Sequence, residues 1–331
     1  MSETRPVRMQ HVENKKAPWT AADIPNLQGR TAIVTGASAG LGLETALRLA
    51  EHGARVILAC RNADKAAAAA ETIRRIVPDA DLPLVELDLT SLKSVHRAAA
   101  RLHDDFGQID LLVNNAGTLS RERTVTEDGF ETTFGTNHLG PFAFTGLLLD
   151  LLHAAPQARV VTVTSGVPAQ KGTWLDLDDL AYERRTYKAY PAYAQSKQAN
   201  ASFAFELQRQ LNGTGSRLIS VLAHPGAAES DFAQNFGPAV AFLSRPSLRW
   251  VFRIVMQTVE MGALPSLRAA TDPGVRGGDF YGPTGSTKGY PVPNAAGERT
   301  RDPELAAQLW TESERLTGVT YRFDQLDGEA D

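Results

Sequence analysis

Cysteine occurs once in this 331-residue chain, at Cys60, so no disulfide can form within it, which suits a reducing, cytoplasmic setting. Histidine occurs seven times but never at metal-ligand spacing with acidic or cysteine partners, and no metal is expected; His224 reads as a packing residue. The acidic stretch WLDLDDLAYERR, with Asp176, Asp178 and Asp179, lacks the glycine and terminal glutamate of a calcium loop. It reads as a solvated insertion, with substrate contact as the lesser alternative. Basic charge is not in excess: 34 Lys and Arg face 38 Asp and Glu, for a net charge of −4. Such a balance provides no field for a phosphate backbone, so small molecules are expected as partners rather than nucleic acid. Long unbroken apolar runs are also missing. The nearest approach, FGPAVAFLSRPSLRWVFRIVMQ, is interrupted by Arg245, Arg249, Arg253 and two prolines, which makes stable insertion in a bilayer costly. It reads as a helical cover over an apolar pocket, with a basic lipid-touching surface as the alternative. The opening MSETRPVRMQHVENKK is polar where a secretory signal would be apolar.

What is present is apolar texture in short pieces. Hydrophobic residues make up 43% of the chain, enough for a substantial buried core. From Arg30 onward, TAIVTG, ARVILAC, LPLVELD, IDLLVNNAG, ARVVTVTS and RLISVLAHPG are continuous apolar runs closed by Gly, Asn, Asp, Ser or Pro. Continuity rather than alternation suits strands covered on both faces of a parallel sheet. Between them LGLETALRLAEHG, NADKAAAAAETIRRIV and SLKSVHRAAARLHDDFG repeat apolar residues at three- and four-residue spacing, as crossover helices do. The alternation predicts an α/β fold: a single-domain, doubly wound parallel sheet with helices on both faces. The expected divisions are an arm over residues 1–28, the sheet domain over 29–282 with an apolar helical lid near 227–262, and an extension over 283–331 packed on the same domain. Thr20, followed by Asp23, is expected to cap a short turn, and GGDFYGP to form the last strand.

TGASAGLG follows the first strand directly and opens the first helix, which places Gly36, Ser38, Gly40, Leu41 and Gly42 in a strand-to-helix turn. Residues without a Cβ let backbone N–H groups approach a pyrophosphate, whose charge then rests on the helix N-terminus. About 20 residues on, where an NAD-binding chain commonly carries a carboxylate for the ribose hydroxyl, the chain reads ACRN. Arg61, beside Asn62, offers a guanidinium fork for a 2′-phosphate, so NADP(H) is the expected cofactor.

In AYPAYAQSK, Tyr193 and Lys197 stand four residues apart, on one face of a helix. Seven tyrosines and eight lysines in 331 residues would produce such a pair by chance in about one sequence in six, so the spacing alone decides little. The ordered series TGASAGLG, NNAG, TNHLG, VTVTS, YAQSK and HPG decides more. With these motifs the chain resembles the short-chain dehydrogenase/reductase family over about residues 29–282. ACRN, TNHLG and the long gap between Ser165 and Tyr193 look most like its retinol-dehydrogenase-like and protochlorophyllide-reductase-like branch, whose substrates tend to be lipophilic.

The resemblance implies that Tyr193 is the proton donor or acceptor and Lys197 its electrostatic activator. Ser165 would hydrogen-bond the substrate oxygen, and Asn137 would organise a water-linked proton path with Lys197. Asp88 and Leu89 would lie by the adenine; Asn115, Ala116 and Gly117 would line the cofactor; Pro225, Gly226 and Ser230 would face the nicotinamide. These residue types suit the chemistry. A carbonyl under reduction gathers negative charge on oxygen and needs a donor and a proton aimed there. Bringing a tyrosine from about 10 to near 7 takes roughly 4 kcal/mol of preferential phenolate stabilisation, of which a neighbouring ammonium and the oxidised nicotinamide ring are expected sources. The expected function is carbonyl–alcohol interconversion on a bulky apolar small molecule. A nicotinamide-dependent epimerase or dehydratase, or a non-catalytic dinucleotide sensor, are the alternatives, and a monomer or homodimer is the expected assembly.

Overall fold

Six apolar runs become parallel strands, and all but the one at the sheet edge are flanked on both sides by apolar helix faces, so that their faces do not have to meet water. In a computed structural model that describes residues 17–169, 174–228, 256–285 and 287–326, they are β1 (Thr31–Thr35), β2 (Arg55–Cys60), β3 (Leu84–Glu86), β4 (Leu111–Asn114), β5 (Arg159–Val163) and β6 (Ile219–Ala223). β7 (Phe280–Pro283) continues the parallel series, and β8 (Pro291–Pro293) closes the edge antiparallel to β7. The sheet order is β3-β2-β1-β4-β5-β6-β7-β8. The sequence reading ended the sheet at β7. Two prolines hid β8, and they are tolerated because an edge strand need not donate on its outer side.

The crossovers are α1 (Gly40–Glu51), α2 (Ala63–Arg74) and α3 (Leu92–Asp105). After β4 come α4 (Thr132–Phe134), a π-helical turn (Gly135–Leu139), α5 (Gly140–Leu147) and α6 (Leu149–His153); after β5 comes the long α7 (Ala189–Leu211). α8 (Val259–Thr271) precedes β7, and α9 (Pro303–Thr317) follows β8. Side chains alternate across the sheet with period two. Val34, Val56, Leu58 and Val113 pack with Leu49, Leu264 and Leu267 on one face, and Ile33, Ile57 and Leu112 pack with Leu102, Phe142, Phe203 and Leu207 on the other. The chain moves outward from β1 to β3 and then returns to place β4 beside β1. That reversal opens a crevice at the carboxyl ends of β1 and β4, where ligands of such sheets bind.

Trp19, Ile24 and Leu27 pack on the first of these cores. The short turn Ala21–Asp23 is capped as expected: Thr20 and Asp23 form a capping box, in which the Asp23 carboxylate accepts the Thr20 N–H at 2.7 Å, and it also accepts the Thr20 hydroxyl at 3.1 Å. Ser230 and most of the expected lid, residues 229–255, lie outside the described residues.

Candidate active site

The turn after β1 is shaped by missing side chains. Gly36 has φ +68° and Gly40 φ +55°, in the left-handed region that glycine enters without strain. At Gly42 a Cβ would stand 2.4 Å from the Gly36 carbonyl oxygen and 2.6 Å from Asn115 Nδ2. Ala39, the residue before α1, makes no side-chain cap, which leaves the helix's first N–H groups for another acceptor. This cradle fits the pyrophosphate of a dinucleotide. Ser38 is partly exposed, while Leu41 reaches toward Gly262 of α8.

Arg61 stands exposed at the end of β2. Asn62 caps α2 by accepting the Lys65 N–H at 2.8 Å, so its oxygen is already engaged. Cys60 is buried, and burial raises its thiol pKa against contacts from Ala37 and Ser38, which makes it an unreactive packing residue. Asp88 Oδ1 accepts the N–H and hydroxyl of Thr90 at 2.9 and 2.7 Å. Leu89 is buried in the core with α5, its carbonyl oxygen close against Gly140.

Beyond β4, Asn115 and Ala116 donate their backbone N–H groups to Thr35 Oγ1, both at 3.0 Å, and Asn115 Nδ2 donates to the Thr35 carbonyl at 2.9 Å. Thr35 thus holds the NNAG loop against β1. Gly117 opens to the crevice, and a Cβ there would come within 3.2 Å of Asn137 Oδ1 and 3.4 Å of Lys197 Nζ. The NNAG loop, the π-helical turn and α7 therefore converge on one point.

At that point every polar side chain is engaged. Asn137, fully buried, accepts the Thr118 N–H at 2.6 Å and donates to the Thr118 carbonyl and to Ser196 Oγ, both at 2.9 Å. Ser196 in turn donates to the Tyr193 carbonyl at 2.8 Å. Lys197 donates from Nζ to the Val163 carbonyl at 3.1 Å, and Thr164 Oγ1 holds the Lys197 carbonyl at 2.7 Å. Burial pulls the Lys197 ammonium down to about 8. Ser165 accepts the Val167 N–H at 3.2 Å and is hydrogen-bonded to the Tyr193 phenol. Tyr193 lies with its ring 5.7 Å from Lys197 Nζ.

Burial raises the Tyr193 phenol above its ordinary value, and the Ser165 hydrogen bond offsets only part of that rise. Thr35, Thr164 and Ser196 were missed from the sequence. All three sit inside or beside motifs already singled out, but nothing in a single sequence shows which side-chain oxygen meets which backbone group.

At the nicotinamide end predicted from HPG, Pro225 and Gly226 follow β6. Gly226 has φ +63°, and a Cβ there would strike the Thr287 carbonyl at 2.4 Å. His224 is buried and held near 4 by burial, and its Nε2 meets Asn294 Nδ2 at 2.9 Å; it packs. The acidic insertion is solvated only in part: Asp178, Glu183 and Arg184 are exposed, but one carboxylate turns inward. Asp179 is buried and accepts backbone N–H groups from Glu183 (2.7 Å), Arg184 (3.2 Å) and Arg185 (3.0 Å), with Arg185 Nε at 3.1 Å. Burial raises its carboxyl, but these donors prevail and hold it at about 2. Gln195 and Gln198 of α7 grip the same insertion through Leu180, Asp176, Trp174 and Leu175. Among the described residues no cluster of His, Cys, Asp or Glu could hold a metal, and no helix is long and apolar enough to cross a membrane.

The short chain dehydrogenase family model matches residues 30–175. Human retinol dehydrogenase 13 is 38% identical over 295 residues, spanning 88% of this chain and 86% of its own. Mouse polyprenol dehydrogenase is 38% identical over 301 residues, 89% and 86% of the two chains. Among solved structures, an uncharacterised protein from Mycobacterium Paratuberculosis shares 38% identity, with a TM-score of 0.75 over 92% of this chain and 99% of that one. The Pseudomonas aeruginosa RhlG/NADP active-site complex shares 25%, with a TM-score of 0.61 over 78% and 95%. Cradle, converging polar set and relatives agree: the chain belongs to the short-chain dehydrogenase/reductase family, in its retinol-dehydrogenase-like branch, oxidoreductases that use a nicotinamide dinucleotide to interconvert alcohols and carbonyls.

Proposed function

We propose that the protein is an NADP(H)-dependent oxidoreductase acting on a bulky apolar aldehyde, ketone or alcohol, with Tyr193 as acid and base. The observation that carries this reading is the Ser165–Tyr193 hydrogen bond beside buried Lys197. It aims two hydroxyls at one point, where a substrate oxygen would accept from both. When bound, the nicotinamide dinucleotide supplies or takes up the hydride. The residues of the glycine turn and the α1 N-terminus would hold its pyrophosphate, and Asn115 to Gly117, Pro225 and Gly226 would line its path.

As charge builds on a carbonyl oxygen, Ser165 steadies it and Tyr193 gives up its proton, leaving a phenolate in a dry site. Lys197 supplies the positive charge that stabilises the phenolate. Asn137 has both amide hydrogens committed, to Thr118 and Ser196. Its contribution to reprotonation runs through its main-chain carbonyl or the second lone pair of Oδ1. Alcohol oxidation runs the same steps backward.

NADP(H) rests on Arg61 at the end of β2, and the apolar substrate rests on relatives named for retinol and polyprenol. A monomer or homodimer is supported by α9, which packs against both α5 and α7. The test is a fluorescence titration of wild type and Arg61→Ala with NADPH and NADH, followed by turnover of aldehydes of increasing apolar length. The expected result is a loss of about 10- to 100-fold in NADPH affinity alone in Arg61→Ala, the scale of a charged hydrogen bond. Tyr193→Phe should lower kcat by about 10²- to 10⁴-fold. Equal NADPH and NADH affinity, or full activity in Tyr193→Phe, would overturn the reading.

A further inference from the structure

The residue after Asn137 faces another way. His138, only 1% exposed, lies among Phe134, Phe142 and Phe203, and its Nε2 meets Ser313 Oγ of α9 at 2.8 Å. Ser313, also 1% exposed, donates its one hydroxyl hydrogen to the Leu309 carbonyl at 2.7 Å. With that hydrogen on Leu309 it accepts toward His138, and His138 Nδ1 meets no hydrogen-bond partner among the described residues, so a proton on Nε2 is the arrangement that leaves no buried ring N–H unpaired. Burial, offset in part by Asn200, holds His138 near 3, so the ring stays neutral and this tautomer persists at working pH.

The turn that carries both residues, Gly135–Leu139, is π-helical, a rare form that is frequent at functional sites. Neighbouring side chains on it point roughly a quarter-turn apart. Thr118 and Ser196 hold one side through Asn137, and Ser313 holds another through His138. We propose that Ser313, on the last helix and remote in sequence from the catalytic set, is a positioning residue: through the Nε2–H tautomer of His138 it fixes the π-helical turn that presents Asn137 to Lys197.

This inference rests on the reading of Asn137 as part of the proton path, and the experiment separates the two. Turnover is measured per NADPH-binding site in wild type, Asn137→Ala, Ser313→Ala, Ser313→Thr and Tyr321→Phe. Tyr321→Phe is the structural control, because its hydroxyl donates to the Phe142 carbonyl at 2.7 Å and anchors the same C-terminal segment without touching His138. Ser313→Ala should lower kcat about tenfold, with KM for the carbonyl little changed. Ser313→Thr, which keeps the hydroxyl, should restore it, and Tyr321→Phe should lower the melting temperature while leaving kcat alone. In the wild-type protein, imidazole nitrogen shifts by NMR should show the proton of His138 on Nε2. Full kcat in Ser313→Ala beside a loss in Asn137→Ala would overturn the proposal and spare the proton path. Full kcat in Asn137→Ala would remove its foundation. Equal losses of kcat in Ser313→Ala and Tyr321→Phe would reduce Ser313 to a stabilising contact. A wild-type His138 protonated on Nδ1 would overturn the proposal even if no Ser313 variant folds.

Discussion

Lys197 shows how a single buried charge sets a pH dependence. Folded, it loses its proton near 8; its ordinary value is 10.5. Between those values the unfolded chain binds more protons than the native one, so stability rises with pH across that window, and the cost of the buried ammonium is fully present below it. The cost is on the order of 3 kcal/mol. Thermal melts of the cofactor-free protein should therefore show wild type gaining on Lys197→Met from pH 8 to about 10.5; a constant difference would refute the burial argument. At Gly42 the constraint is steric. A Cβ 2.4 Å from the Gly36 carbonyl and 2.6 Å from Asn115 Nδ2 would push the cradle open, so Gly42→Ala should weaken dinucleotide binding by about tenfold or more, read by fluorescence titration. Unchanged affinity would mean that the turn does not hold the phosphates. Both residues stood out in the sequence by spacing and context. Thr35, Thr164 and Ser196 did not, because hydroxyl-to-backbone bonds leave no pattern along a chain.

Elements shift the account from identity to environment. The insertion before α7 is rich in acidic residues and reads as solvent-facing, yet Asp179 gathers three backbone N–H groups and a guanidinium, and Gln195 and Gln198 tie the segment to the helix that carries Tyr193 and Lys197. Its carboxyl is held at about 2 against an ordinary 3.8, so its contribution is complete above the ordinary value and lost only as pH falls through 2. Asp179→Ala leaves buried donors without an acceptor and should cost about 1–3 kcal/mol. The loss should appear as a lower denaturation midpoint that stays constant from neutral pH down to about 4. A deficit that faded between pH 7 and 5 would point to another group. The strands and crossover helices, by contrast, were legible in outline, since burial on two faces or on one stripe writes its period directly into the residues.

At the scale of the whole molecule, the C-terminal segment returns to brace the site. Trp310 on α9 stacks on Phe203 (5.8 Å) and meets Phe142 (5.2 Å) and Tyr321 (4.5 Å) edge-on or tilted, with Phe142 on α5, directly after the turn that carries Asn137, and Phe203 on α7, which carries Tyr193. Trp310→Ala should cost about 3–5 kcal/mol in urea unfolding and raise hydrogen exchange in α9. A variant as stable as wild type would show that α9 is not part of the cooperative unit. By itself the sequence determined the parallel α/β sheet, the glycine turn and the Ser165, Tyr193 and Lys197 series, because periodicity, chain-flexible residues and fixed helical spacing are local properties. The tertiary structure decided the rest. That burial raises the Tyr193 phenol, that Asp179 is buried, that β8 completes the sheet and that Ser313 reaches His138 all depend on desolvation and on contacts between residues far apart in the chain, which exist only once the chain has folded.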